Sequence, residues 1–326
     1  IIFTLPWSYA SSWSNWLGPN HTGSIDDVHI EVPAADKEYP LLWTVKVGTG
    51  WSSPVVVQEK VILHDRVGKV ERVHCFDAVT GQKLWEHSFR SDYRDNFGMS
   101  DGPRSTPGIK NGIIVTHSPN GLLKGISLDS GTALWKRDLK AEYQSPKGFF
   151  GRCSSPLIIG KKIIVDVGGE GVGIVAFSLE NGETLWESRP RTADYASCVP
   201  LKYKDFDLVL SFMREGFIAV DATTGREQFF SPFRSQINAS VHAATPLVIG
   251  DMVFLSACYK VGSSLWRLTE ENGKSPGSMF EQKWAKKETM DCHYSTPVSY
   301  QGYLYGVHGR QEHRPQLRCI ELRNGT

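Results

Sequence analysis

The chain has 326 residues, enough for one large repeat array or about two ordinary domains. Lys and Arg number 36 against 35 Asp and Glu, a balance that excludes the global basic surface sought by nucleic acid or anionic lipid. Six cysteines without any C-x-x-C spacing exclude a disulfide-stapled scaffold, a zinc ribbon and a c-type haem site; buried free thiols are the plainer expectation, an isolated disulfide the alternative.

Residues 1–10, ending Trp7-Ser8-Tyr9-Ala10, read as the tail of a secretory h-region with Ser8-x-Ala10 as a small-x-small cleavage site. A mature apolar segment is the alternative. The first reading makes the protein periplasmic or secreted. No stretch of the sequence reaches 18 apolar residues, so no transmembrane segment is expected. Residues 11–40 carry Trp13, Trp16, Gly18-Pro19-Asn20 and Val32-Pro33 without a period, and read as a strap across the body. Leu41-Leu42-Trp43-Thr44-Val45-Lys46-Val47 then looks like a strand with no sheet of its own before it. A closed propeller uses such a strand to complete its last blade, because closure removes sheet edges.

Two markers alternate from there on. One is a turn followed by an aromatic anchor: Asp77-Ala78-Val79-Thr80-Gly81 leading to Leu84-Trp85, Asp129-Ser130-Gly131 to Trp135, Glu180-Asn181-Gly182 to Trp186, and Asp221-Ala222-Thr223-Thr224-Gly225 to Phe229. Degenerate copies follow at Asn272-Gly273, with Trp284 beyond it, and at Asn324-Gly325. These glycines recur at intervals of 43 to 52 residues, a period of propeller blades or solenoids. The other marker opens a strand: Ser53-Pro54, Thr106-Pro107, Ser155-Pro156, Cys198-Val199-Pro200, Thr245-Pro246 and Thr296-Pro297. Pro is tolerated there because the first residue of a strand need not donate. Four short strands per roughly 50 residues make a propeller blade. The expected fold is therefore an all-β propeller of four-stranded antiparallel blades, with residues 41–326 as one domain. Six blade starts are present. The last copy stops at Asn324-Gly325-Thr326, before its expected Trp, so the chain reads as a fragment of a seven-bladed protein.

With Ser/Thr-Pro on the innermost strand and Trp after the turn, this repeat resembles that of the pyrroloquinoline quinone (PQQ)-like propellers. That family includes the quinoprotein alcohol dehydrogenases and the BamB-type propellers of outer-membrane β-barrel assembly. Trp16-Leu17-Gly18-Pro19-Asn20-His21-Thr22-Gly23, Gly148-Phe149-Phe150-Gly151, Tyr303-Leu304-Tyr305-Gly306 and Leu317-Arg318-Cys319-Ile320 are similar to segments of secreted bacterial members without an assigned activity. The resemblance implies a blade-locking role for Trp43, Trp85, Trp135, Trp186, Phe229 and Trp284. PQQ with calcium is the cofactor pair it brings into view. The adjacent Cys-Cys pair and the C-x-x-C-H of the dehydrogenases are missing, however, and PQQ binding does not follow from the repeat alone.

In a propeller the loops before the innermost strands converge at one channel mouth. Reading them gives Trp51, Asp101, Arg104, Arg152, Asp194, Tyr195, His242, Asp291, His293 and Tyr294 as candidate ligand-binding residues. Arg forks suit carboxylates and Trp51 offers a stacking face; a solvated rim of mutually neutralising charges is the plainer reading. His242 and His293 with Asp101 or Asp291 have metal-ligand chemistry, but nothing in their spacing specifies a metal, and none is assigned. No catalytic set is recognisable. The leading expectation is a monomeric, non-catalytic scaffold for a protein partner or a small anionic or sugar ligand. A PQQ- and calcium-dependent alcohol or sugar dehydrogenase, and a carbohydrate-binding propeller using Trp51 and Tyr294, are the alternatives.

Overall fold

In the computed structural model, which describes residues 12–25, 39–269, 279–310 and 314–326, the repeats become six antiparallel sheets. Blade one holds β1 (Val55–Val57), β2 (Lys60–Val67), β3 (Val70–Asp77) and β4 (Lys83–Arg90). Blade two holds β5 (Gly108–Lys110), β6 (Ile113–His117), β7 (Leu122–Ser127) and β8 (Ala133–Asp138), followed by a one-turn helix α1 (Leu139–Tyr143) whose first turn is capped by Asp138. Blade three holds β9 (Leu157–Ile159), β10 (Lys162–Asp166), β11 (Ile174–Ser178) and β12 (Thr184–Glu187). Blade four holds β13 (Val199–Tyr203), β14 (Phe206–Met213), β15 (Gly216–Asp221) and β16 (Glu227–Pro232). Blade five holds β17 (Leu247–Ile249), β18 (Met252–Ala257), β19 (Gly262–Leu268) and β20 (Phe280–Lys286). Blade six has three strands, β21 (Val298–Tyr300), β22 (Tyr303–His308) and β23 (Gln316–Glu321). In each sheet consecutive strands are neighbours, and β5 lies against β9, β9 against β13 and β13 against β17, so first strands surround a common channel.

Burial explains the sequence pattern. In blades two to five the second and third strands have neighbouring blades on both faces, hence near-continuous apolar runs such as Ile163-Ile164-Val165, whereas β22 of blade six alternates buried and exposed residues. Fourth strands lie outermost and alternate; β4 and β8 keep one face exposed. The core is divided accordingly into five clusters, one per blade junction. One joins Ile62 and Val73 of blade one to Ile114 and Ile126 of blade two. Another joins Leu210, Phe212 and Phe217 of blade four to Val253, Leu255 and Trp266 of blade five.

The turn and the Trp meet across these junctions. Trp43 packs on Gly81, Trp85 on Gly131, Trp135 on Gly182, Trp186 on Gly225 and Trp284 on Gly325. Each glycine has φ near +70° in its turn, and a Cβ there would strike the ring. Each indole N–H also donates to a carbonyl of the same turn, to Ala78, Leu128, Leu179, Ala222 and Leu322 at 2.9–3.2 Å. A one-residue slip between third and fourth strands at Cys75/Phe76, Gly125/Ile126, Ala176/Phe177, Ala219/Val220 and Leu265/Trp266 sets the lock aromatic opposite the residue before the slip. Phe229 sits within the aromatic cluster of Phe217, Trp266 and Phe280; its turn at Gly273, like the leader-like residues 1–10, lies outside the described residues.

Two local expectations need correction. Residues 41–47 form no strand, because no segment among the described residues pairs with them; Trp43 nevertheless occupies a lock position. The opening marker of blade four is Ser197, not Cys198-Val199, and Pro200 is the second residue of β13. With that change a hydroxyl stands two residues before every first strand: Ser53, Thr106, Ser155, Ser197, Thr245 and Thr296. These residues rivet successive blades. Ser53 N–H donates to Thr106 Oγ1 at 3.1 Å, Thr106 N–H to Ser155 Oγ at 2.9 Å, Ser155 N–H to Ser197 Oγ at 2.8 Å, and Thr245 N–H to Thr296 Oγ1 at 3.0 Å. Ser155→Ala leaves the buried Thr106 amide without its acceptor, and chemical denaturation is expected to register a loss of about 1–3 kcal/mol. An unchanged midpoint would show that the rivet contributes nothing.

Candidate functional site

Residues 12–25 cross the channel. Val56 N–H donates to Trp13 O and Ile109 N–H to Ser14 O, both at 2.9 Å, while a Cβ on Gly23 would come 3.1 Å from Val298. The segment thus touches first strands of blades one, two and six. Trp16 reaches the hydroxyl ring at blade five, its indole N–H donating to Thr245 Oγ1 at 3.0 Å.

Beside Trp16 lies a cavity of about 660 Å³ to which all six blades contribute. Its size falls within the roughly 300–1,000 Å³ of small-molecule pockets. Of the sequence-predicted residues, Trp51, Arg104, Tyr195, His293 and Tyr294 line it. The other five lie in the loops behind. Asp101 accepts the Asp95 N–H at 2.7 Å. The guanidinium of Arg152 donates to Ser145 O, Ser145 Oγ and Pro119 O. Asp194 is 3.3 Å from Arg214, and burial pushes its carboxyl up to about 7. His242 hydrogen-bonds Met213 O at 2.9 Å and stacks on Phe212 at 4.1 Å; burial brings its imidazole down to about 4. Asp291 accepts the Glu288 N–H, and burial raises its carboxyl too. His242, His293, Asp101 and Asp291 therefore do not meet in one place. Among the described residues no three His, Cys, Asp or Glu side chains form a metal-binding cluster.

The groups that do face the cavity are held by specific loop chemistry. Asp95 accepts the N–H groups of Phe97 and Met99, winding residues 95–99 into a tight loop, and receives Arg104 Nη2 at 3.3 Å. Arg104 also approaches the Tyr93 hydroxyl at 3.4 Å and lies over the Phe150 ring. The Tyr195 hydroxyl accepts the N–H of Phe149 at 2.6 Å and of Phe150 at 3.3 Å, and Gly148 passes so close that a Cβ would lie 2.6 Å from that oxygen. Phe150 is thereby set between Tyr195 and Tyr294, with centroids at 5.6 and 6.5 Å. His293 accepts or donates at 2.7 Å with Tyr259 and stacks on Tyr294 at 3.8 Å. The buried hydroxyl residues Ser155, Ser197 and Thr245 also line the cavity.

Trp16, Met99, Phe150, Cys153 and the three hydroxyls are not among the candidate ligand-binding residues read from the sequence, although Trp16, Ser155 and Thr245 stand there as strap and strand markers; the Phe149-Phe150 pair was the available signal for the aromatic wall. All six cysteines are free, and burial lifts the Cys153 thiol to about 12, which leaves it a poor nucleophile. A second set of buried ionisable groups, in blade one, is paired internally: Asp65 with Arg72 and His74, and Glu71 with His64 and the Ser118 hydroxyl of blade two. His308, in the polar blade-six hairpin, receives the Asp291 N–H at 3.0 Å; residues 311–313 of that hairpin are outside the described residues. No helix among the described residues is long and apolar enough to cross a membrane.

Comparison with known proteins agrees with this architecture. The family model described as "Outer membrane protein assembly factor BamB" matches residues 32–199 and 173–305. The outer membrane protein assembly factor BamB of Burkholderia pseudomallei is 28% identical over 204 residues, 59% of this chain and 45% of that protein. Quinoprotein alcohol dehydrogenase PedH of Pseudomonas putida is 27% identical over 144 residues, 42% of this chain and 22% of that protein. The chain thus spans less than half the length of these curated relatives. Crystal structures of BamB from Moraxella catarrhalis (TM-score 0.57, 15% identity, 83% of this chain and 70% of that one) and of quinohemoprotein alcohol dehydrogenase from Comamonas testosteroni (TM-score 0.54, 15% identity, 90% and 52%) share the fold. The repeat, the interlocked blades and a family match over most of its length together establish that the chain belongs to the PQQ-like, BamB-type β-propeller family.

Proposed function

We propose that this propeller is a non-catalytic scaffold, acting outside the cytoplasm, that binds a polypeptide partner at its channel mouth. One observation carries the reading: Arg104, His293 and Tyr195 at the mouth are each engaged by protein partners, leaving aromatic surface and a few hydroxyls toward the cavity. Arg104 faces Asp95, His293 faces Tyr259, and the Tyr195 hydroxyl holds two backbone amides. Such a wall suits apolar contact more than proton or electron transfer. The likeness to proteins named for outer membrane protein assembly supports the same class.

A quinone cofactor fits these residues poorly. PQQ carries three carboxylates, yet among the described residues the wall offers one guanidinium, already paired with Asp95. Calcium would need several oxygen ligands, and Asp95 directs its oxygens to the Phe97 and Met99 amides and to Arg104. The test pairs two measurements. A photoreactive phenylalanine analogue at Trp51 should yield polypeptide cross-links in periplasmic extract that excess unlabelled protein competes away, whereas the same analogue at Thr80, on an outer turn, should not. Calorimetric titration of PQQ with calcium should give no heat. Dye-linked oxidation of an alcohol after such reconstitution would overturn the proposal.

A further inference from the structure

Resting on that scaffold reading, we infer that the cavity receives an aromatic side chain of the partner polypeptide, an indole or phenol whose polar edge meets the hydroxyls of Ser155 and Ser197. The chain itself supplies the precedent. Trp16 inserts from a crossing segment and donates its indole N–H to Thr245 Oγ1 at 3.0 Å. Thr245 stands two residues before β17, the position that Ser155 holds before β9 and Ser197 before β13. All three line the same cavity. The ring therefore presents the same group again at blades three and four.

The chemistry at those two positions is suited to such a guest. Ser155 Oγ accepts the Thr106 amide and Ser197 Oγ the Ser155 amide, which leaves each hydroxyl proton and a second lone pair for a ligand. An indole N–H can donate to them, and a phenol can donate and accept. Phe150, Tyr195 and Tyr294, which line the same cavity, supply the aromatic walls that ring–ring packing requires. Arg104 is balanced by Asp95, so the site does not call for a charged guest.

Apolar surface also continues outside the cavity. Trp51, 66% exposed, Phe97, Met99 and Tyr294 stand at or beside the mouth, and Phe97 packs on both Phe149 and Phe150 at 5.9 and 5.4 Å. A free small molecule would leave this rim uncovered, whereas a polypeptide with an aromatic anchor would cover it with the residues flanking the anchor. That is the usual anatomy of an interface hot spot. A sugar fits less well, since its many hydroxyls would face walls with few open polar partners.

The experiment uses the full chain and fluorescein-labelled twelve-residue Gly/Ser peptides with one central Trp, Tyr, Leu, Ala or Glu, read by anisotropy. The Trp peptide should bind at least tenfold tighter than the Ala peptide, with Tyr near Trp and Glu no better than Ala. Trp51→Ala, at an exposed position that should not disturb folding, and Phe150→Leu, a milder change of wall, should each cut the Trp preference about fivefold. Ser197→Ala should weaken Trp and Tyr but not Leu. Equal binding of Trp and Ala peptides, or displacement of the Trp peptide by maltohexaose, overturns the inference. If peptide preference is lost while the competed cross-links at Trp51 persist, the aromatic anchor alone is wrong. Loss of both removes the scaffold reading as well.

Discussion

Trp186→Ala is expected to lower the free energy of unfolding by about 3–5 kcal/mol. Trp186 is the most buried of the lock tryptophans, 8% exposed, and fills the junction between blades three and four beside Val209, Ile218 and Val220. Its loss is one of packing. The Ala222 carbonyl that accepts its indole N–H also receives Lys162 Nζ at 2.8 Å, so the truncation does not strand that oxygen. Trp186→Phe keeps most of the ring contact and should cost about 1 kcal/mol, the value of a typical net hydrogen bond. The partner position gives the sharper test. A Cβ on Gly225, at φ +72°, would lie 2.3 Å from Trp186. Gly225→Ala should therefore be strongly destabilising with Trp186 present. In the Trp186→Ala background its cost should shrink to the left-handed backbone penalty of about 1–2 kcal/mol. Urea unfolding of the four proteins measures this coupling, and additive effects would mean that ring and turn do not form one lock.

Asp166→Asn should stabilise the protein at pH 8 and do almost nothing near pH 4. Asp166 ends β10 with both carboxyl oxygens buried and without a well-formed hydrogen bond. Burial, reinforced by the Asp194 carboxylate, pushes its acid form up to about 8, and the Ser154 hydroxyl and a backbone amide offset only part of this. The folded state thus holds a proton that the unfolded chain releases near 3.8. Stability from this group is complete below pH 4, declines as pH rises toward 8, and is then flat. Asparagine has the shape of the protonated acid and no such slope. The gain at pH 8 should be of the order of 2–5 kcal/mol. Asp194, raised to about 7, has the same sign and should leave the variant with a residual slope. A difference between Asp166→Asn and the parent that is the same at pH 4 and pH 8 would refute the buried-acid account.

Much of the fold is legible in the order of residues because its causes are local. A glycine with positive φ, an Asp or Ser whose side chain closes the turn, and an aromatic four residues later recur where the chain must reverse and a blade must be sealed. The exceptions have local causes as well. Trp284 is a full lock, yet it follows Gly273 by eleven residues instead of four, so its sequence signal is faint. Ser197 was hidden because its strand begins one residue before Pro200.

The mouth was legible only as a set of loops. Arg104 and Arg152 are indistinguishable in sequence, each four to five residues before a first strand. Tertiary contacts separate them: Asp95 holds one guanidinium beside the cavity, while the Ser145 and Pro119 carbonyls draw the other into the loop framework. The same holds for the histidines, since Phe212 captures His242 and Tyr294 stacks on His293 at the cavity wall. Nothing near Trp16 in sequence indicates Thr245, 229 residues away, as its partner. Sequence alone therefore determined the blades and their locks, which depend on contacts within one repeat and the next. The cavity, its aromatic lining and its balanced charges were decided only by tertiary structure, because they arise where six distant loops and the N-terminal segment converge on one axis.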